Sequence, residues 1–213
     1  MSIHYYIIDT ETSGLKAGYQ EMTEIGIIRA TDRVQLHMNI KCDYPERANF
    51  DALAITKKSM ADLEKGYSKE FTVEQCEKFF NEDNATPAHR CIVAHNCAFD
   101  RRFLHALWAS VGKPFPANLF LDTIPLTKAW AKTQGILKPK VALHNACDLL
   151  GIKKISEAHN ARVDSRNGYM IWKKLIDNGI DHLPHIKTFV HEITKSNNET
   201  YDFDSVEQVE DVG

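Results

Sequence analysis

The chain has 213 residues, 43% of them hydrophobic and 26% charged, which suits one soluble domain with ordinary extensions and excludes two full domains. A net charge of −3 excludes a protein that coats nucleic acid through a basic surface, so any such contact must be local. No apolar run approaches the ~20 residues of a membrane span, and Met1-Ser2-Ile3-His4-Tyr5-Tyr6 lacks the basic start and apolar stretch of a secretory signal, so a cytoplasmic home without a membrane partner is expected.

In chain order, Tyr5 to Ile8 is a short apolar run suited to a strand buried on both faces, and it ends in Asp9-Thr10-Glu11. Gly14 and Gly18 mark the following loop. Segments Glu24 to Ala30 and Val34 to Cys42 read as strands joined by the polar connection Thr31-Asp32-Arg33, which makes the first three strands an antiparallel meander. Helical periodicity follows from Thr72 to Phe80, then a polar break from Asn81 to Pro87 and a fourth strand, Cys91 to Ala94. A helix from Phe99 to Val111, a fifth strand at Leu119-Phe120-Leu121, and helices over Val141 to Leu150 and about Ala161 to Ile176 complete the pattern. This order predicts an α/β fold, with a mixed five-stranded sheet flanked by helices. Residues 1–195 are read as the folded domain. Residues 196–213 carry six acidic residues and no lysine or arginine, the composition of a flexible, solvated tail. Cys42, Cys76, Cys91, Cys97 and Cys147 contain no Cys-x-x-Cys pair and read as reduced, partly buried thiols. The basic pairs Lys57-Lys58, Arg101-Arg102, Lys153-Lys154 and Lys173-Lys174 are ordinary on solvated faces and single out no site.

Three acidic clusters carry the chemistry. Asp9 closes an apolar strand, where a bare carboxylate loses hydration unless a cation or donors compensate it. Glu11 lies two residues on, so in extended chain both side chains share a face and can converge on one ion. Alone this pair is weak, because acidic residues after strands are common in loops and caps. His95-Asn96-Cys97-Ala98-Phe99-Asp100 places a third carboxylate at a helix opening beside a second apolar strand. A plain helix start, with Asn96 capping and Phe99 packing, also fits that segment and leaves Asp100 free to function. His159-Asn160-Ala161-Arg162-Val163-Asp164 supplies a fourth carboxylate at the start of the last helix. Five helical positions are about 140° apart, so His159 belongs in the loop before that helix, bending back toward Asp164. Four hard oxygen donors favour Mg²⁺ or Mn²⁺ over Zn²⁺. Two such ions about 4 Å apart are a known device for phosphodiester hydrolysis.

These residues, in this order, resemble the DEDDh exonucleases, the DnaQ-like group that includes ribonuclease T, oligoribonuclease and the proofreading subunit of the bacterial replicative polymerase. The resemblance covers about residues 5 to 178, through Asp9 to Gly14, His95 to Asp100 and His159 to Asp164, with lesser similarity at Leu121-Asp122-Thr123 and Leu143 to Ile152. It implies a ribonuclease H-like fold and a 3′-5′ exonuclease that acts on single-stranded 3′ ends and releases nucleoside 5′-monophosphates. It further implies that Asp9 bridges two divalent cations, that Glu11 and Asp164 complete the first, and that Asp100 supports the second. His159 becomes the general base; an ordinary imidazole pKa of ~6.5 suits that role near neutral pH. By the same resemblance Thr12, Ser13 and Gly14 approach the terminal nucleotide, Leu15 lies against its base, and His95, Asn96 and Phe99 line the neighbouring pocket. Ile55 is an apolar side chain suited to wedge between bases. Where relatives commonly have His-Gly or Asn-Gly this chain has Thr56-Lys57, so the histidine's role does not pass to Thr56.

No motif specifies contacts to a 2′-hydroxyl, and DNA is slightly favoured over RNA as substrate. A polymerase or another replication or repair protein is a further expected partner. The competing expectation is a binding or polymerase-associated module that keeps the fold and hydrolyses little. Intact clustered carboxylates weigh against it, because unused like charge destabilises a fold.

Overall fold

The computed structural model describes residues 2–155 and 159–191; the acidic tail read from the sequence lies outside them. Six strands form one sheet in the order β3-β2-β1-β4-β5-β6. The meander of β1 (His4–Thr12), β2 (Met22–Arg29) and β3 (Gln35–Asn39) is antiparallel throughout. On the other edge of β1, β4 (Arg90–Ala94) and β5 (Leu119–Asp122) continue in parallel, and β6 (Lys187–Thr188) pairs antiparallel with β5. The mixed sheet matches expectation with one strand more. Two residues carry no periodicity to read, and β6 is fixed from outside, by pairing with Leu119 and Phe120 and by a bond from the Phe189 N–H to the Asn118 carbonyl at 2.8 Å.

The helices among the described residues are α1 (Phe50–Thr56), α2 (Met60–Leu63), α3 (Lys69–Asn81), α4 (Cys97–Ser110), α5 (Thr123–Thr133), α6 (Leu143–Leu149) and α7 (Ala161–Asp177). Alternation along β1 divides them into two layers. Tyr6 and Ile8 face a core with Phe80 of α3 and Phe103 and Trp108 of α4. Ile7 faces the other, with Leu126 of α5, Cys147 of α6, and Ile171 and Leu175 of α7. Each fully buried aliphatic side chain stabilises the fold by about 1.5–3 kcal/mol, so the central strand is anchored from both sides. α1 and α2 close over a small cluster of Cys42, Leu53 and Leu63. All five cysteines are buried and free. No described helix is long and apolar enough to cross a membrane.

Two details of this framework place the site. β1 does not stop at Ile8; it runs on through Thr12 because β2 keeps pairing with it, Asp9 opposite Gly26 and Glu11 opposite Glu24, up to a register shift between Glu11 and Thr12. β4 does stop, with its last pairing to β1 at Val93 opposite Ile7. The far half of β1 therefore has a strand on one edge and an opening on the other.

Candidate active site

Asp9 and Glu11 project from β1 on the same face as Ile7, the face that α7 covers. α7 comes close because small residues lie beneath it. A Cβ on Gly26 would stand 2.2 Å from the Ala161 carbonyl oxygen, and one on Gly168 would stand 3.3 Å from Ile7 Cγ2. Asp164, in the first turn of α7, is thereby carried to Glu11. One donor atom each from Glu11, His159 and Asp164 lie within 4.8 Å of one another. Asp100 arrives from the opposite layer, through the opening left by β4. It sits in the first turn of α4, and Thr10 Oγ1 donates to its Oδ1 at 2.9 Å. The structure thus gathers all four predicted carboxylates and the predicted imidazole at one end of β1.

His159 precedes α7, which begins at Ala161 with Asn160 as its cap, as the spacing requires. Its backbone is left-handed, with φ of +66°, and its N–H donates to Asp164 Oδ2 at 2.8 Å. Asn167, one turn further, donates to Asp164 Oδ1 at 3.3 Å. Asp164 is therefore oriented from both sides, and it in turn holds the loop that presents the exposed His159.

The carboxylates oppose one another. Glu11, Asp100 and Asp164 are 8%, 4% and 5% exposed. Loss of water, followed by the charges of Asp164 and Glu24, pushes the Glu11 carboxyl up to about 8, although Lys58 pulls it back. Burial pushes Asp100 up to about 7 against the hydrogen bonds from Thr10. Asp9 lies well above the usual carboxylate range, first through desolvation and then through the charges of Asp100, Glu11 and Asp164. Such a set is relieved by cations. Because the donors are oxygens converging from three elements, the residues present fit hard divalent ions.

The remaining predicted residues fall around this centre. Ser13 is locked between β1 and β2: its N–H donates to the Glu21 carbonyl at 2.8 Å, and its Oγ accepts from the Glu21 N–H at 2.9 Å. Thr12 Oγ1 donates to the Gly14 carbonyl at 2.6 Å. The Asn49 N–H donates to the Ser13 carbonyl at 2.7 Å, tying α1 to this loop. Leu15 and Ile55 are 74% and 55% exposed, apolar and unburied. His95 turns inward, Nδ1 bonded to Thr123 Oγ1 at 2.8 Å and Nε2 to the Val141 carbonyl at 2.6 Å. Phe99 lies against Phe103 with ring centroids 5.0 Å apart. Asn96 does not cap α4 with its side chain; it is left-handed, with φ of +76°.

Asp122 does that capping. Its carboxylate accepts from the Asn96 and Cys97 N–H groups at 3.1 and 3.2 Å, and from the Ile124 N–H of α5 at 2.8 Å. Sequence reasoning also passes over Glu24, Lys58 and His37. Glu24, 2% exposed and opposite Glu11, bonds His37 Nε2 at 2.6 Å and Lys58 Nζ at 3.1 Å. Burial raises its carboxyl, yet His37 and Lys58 outweigh this and hold it below the ordinary range. The available signal is a charged residue opening an otherwise apolar strand. His159, Glu24, His37 and Lys58 share the lining of a pocket of about 620 Å³.

A ribonuclease H-like α/β sheet with four convergent carboxylates and a histidine at one end of its central strand defines a class of nucleic-acid hydrolase. A family model described as "RNase_T: Exonuclease" matches residues 6–171, and the chain belongs to that exonuclease family, whose members hydrolyse phosphodiester bonds. It is similar to "DNA polymerase III PolC-type" from Halalkalibacterium halodurans, 24% identical over 174 residues, and to the same enzyme from Latilactobacillus sakei, 26% identical over 176. Each match covers 81% of this chain but only 11% of the polymerase. Among solved structures, cell-death related nuclease 4 superposes with a TM-score of 0.69 at 12% identity, over 84% of this chain and 65% of that one. E. coli Exonuclease I bound to a dA16 oligonucleotide gives 0.67 at 17%, over 86% and 42%. A 3′-exonuclease that recognises the histone mRNA stem-loop gives 0.66 at 10%, over 88% and 86%.

Proposed function

We propose that this protein removes nucleotides from single-stranded 3′ ends, with DNA slightly preferred to RNA, and releases nucleoside 5′-monophosphates. The observation that carries this reading is the convergence of Asp9, Glu11, Asp100 and Asp164 beside His159. In this reading Asp9, Glu11 and Asp164 would hold one Mg²⁺ or Mn²⁺, and Asp9 with Asp100 the other. The ions supply positive charge that favours hydroxide over water and stabilises the departing oxygen. His159 accepts the proton of the attacking water and passes it to solvent through the pocket it lines. Its loop geometry matters because the bond from its N–H to Asp164 fixes the backbone from which the imidazole projects. Thr12, Ser13, Gly14 and Leu15 hold the terminal nucleotide, Ile55 separates it from its neighbour, and His95, Asn96 and Phe99 support the far side of the pocket. Among the similar structures Exonuclease I is bound to oligodeoxynucleotides, whereas the 3′-exonuclease recognises an mRNA stem-loop, so the substrate comparison below decides between DNA and RNA.

Single-stranded DNA, duplex DNA with a 3′ overhang, and RNA, each labelled at the 5′ end and incubated with Mg²⁺, test this directly. The single strand should shorten stepwise from its 3′ end. Asp9→Ala should abolish the reaction, while His159→Ala should slow hydrolysis severely and leave cation binding intact. Full activity in Asp9→Ala overturns the assignment. Association with a replicative polymerase is a second reading, favoured by the similarity to PolC; failure to co-purify with a replicative polymerase removes it.

A further inference from the structure

An acidic chain that handles a polyanion needs attraction that does not depend on net charge, and one surface offers it. Arg47 is sandwiched between two tyrosines, its guanidinium carbon 3.9 Å from the centroid of Tyr44 and 5.2 Å from that of Tyr19. Lys69 Nζ approaches the same Tyr44 ring at 5.9 Å, with its own charge held by Glu21 and Asp43. The tyrosines nevertheless remain 46% and 55% exposed. Each tyrosine therefore meets the guanidinium while much of the residue stays open to solvent. On either side of Lys69 in sequence, Tyr67 and Phe71 stack with centroids 4.9 Å apart and are 53% and 42% exposed.

This row is rigidly tied to the loop after β1. Gln20 Nε2 donates to the Arg47 carbonyl at 3.2 Å, while Gln20 Oε1 accepts from the Lys16 N–H at 3.0 Å. The Asn49 N–H bond to the Ser13 carbonyl fastens the same segment to the residues assigned to the terminal nucleotide. Glu21, buried beside Ser13, accepts from the Tyr44 N–H at 2.8 Å and also pairs with Lys69. The aromatics therefore stand at a fixed offset from the catalytic end of β1.

Resting on the exonuclease reading above, we propose that the Tyr19–Arg47–Tyr44 row is a base-stacking platform. It would grip the single strand upstream of the nucleotide being removed. Every base has a π-face, so such a platform is tolerant of sequence, and Arg47 supplies a cation for the backbone without a basic surface. Dependence on salt should be shallow, because few phosphates are neutralised.

The test compares wild type, the double variant Tyr19→Ala/Tyr44→Ala and the control Tyr19→Phe/Tyr44→Phe on a single strand of about 12 nucleotides, a length within the range such platforms occupy, and on a dinucleotide that cannot reach the row. The alanine pair should lower kcat/KM on the longer strand about tenfold or more, while dinucleotide turnover and the phenylalanine control stay unchanged. Equal losses on both substrates, or no loss on either, overturn the platform. Fluorescence anisotropy of a labelled oligothymidylate separates this from the catalytic reading. Weakened binding by the alanine pair in a protein that cleaves neither substrate supports the platform and sinks the catalytic assignment; unaltered binding overturns the platform whatever the activity.

Discussion

Neutralising Glu11 should make the protein more stable while it destroys activity. With no cation bound, the folded-state pKa of Glu11 is about 8 against an ordinary 4.5. A carboxyl raised in this way holds its proton more tightly when folded, so its penalty is absent below about pH 4.5 and grows as pH climbs to about 8. At about 1.4 kcal/mol per pH unit, that gap costs about 5 kcal/mol at pH 8 and above. Asp164 and Glu24 share in the same repulsion, and a buried amide keeps some desolvation cost, so Glu11→Gln should recover about 2–4 kcal/mol. For a chain of this size that is a rise in Tm of about 5–15 °C. Calorimetry in chelator at pH 6.5 and pH 8 should show the wild type losing stability over that interval and the variant losing less. Millimolar Mg²⁺ should then raise the wild-type Tm, more at pH 8 than at pH 6.5, and barely move the variant. A chelated wild type more stable at pH 8 than at pH 6.5, with Glu11→Gln no more stable than it, would refute the electrostatic account.

Three other perturbations probe the scaffold. Gly26→Ala should lower stability by about 1–3 kcal/mol and turnover by about 100-fold, because its Cβ would meet the α7 backbone and displace Asp164; a melt and a single-turnover assay decide. Asp122→Ala should cost about 2 kcal/mol in urea denaturation, since it uncaps both α4 and α5. His105 is fully buried, stacked on His191 at 4.4 Å, and pushed down to about 2 by burial and then by His191 and Arg101. A histidine depressed in this way contributes stability that is lost as pH falls below about 6.5. The stability difference between wild type and His105→Leu should therefore move against the wild type by about 2 kcal/mol between pH 6.5 and pH 4.5; a difference that does not change over that interval would contradict it.

Much of the architecture is legible in the sequence because buried strands and helices announce themselves as apolar runs and periodicities. Tyr5 to Ile8, Cys91 to Ala94 and the helix from Ala161 are found within a few residues. The extension of β1 through Asp9, Thr10, Glu11 and Thr12 is not, because acidic side chains break the hydrophobic signal while the backbone goes on pairing with β2. α5 is obscured by its opening Thr-Ile-Pro, and β6 exists only through its neighbour. At the site, residue types and spacing indicate which carboxylates could converge. They do not reveal the Glu24, His37 and Lys58 group, whose members come from β2, β3 and the turn after α1 and meet only when the meander folds.

The early end of β4 bears on how such a centre could be altered. The four carboxylates lie at a notch made by two neighbouring strands of unequal length, so the cleft is a property of stagger more than of any single residue. Adding two residues to β4 after Ala94 would continue the ladder along β1 and shut Asp100 out, while every carboxylate stayed in the chain. Such an insertion should therefore silence hydrolysis without removing a single acidic side chain.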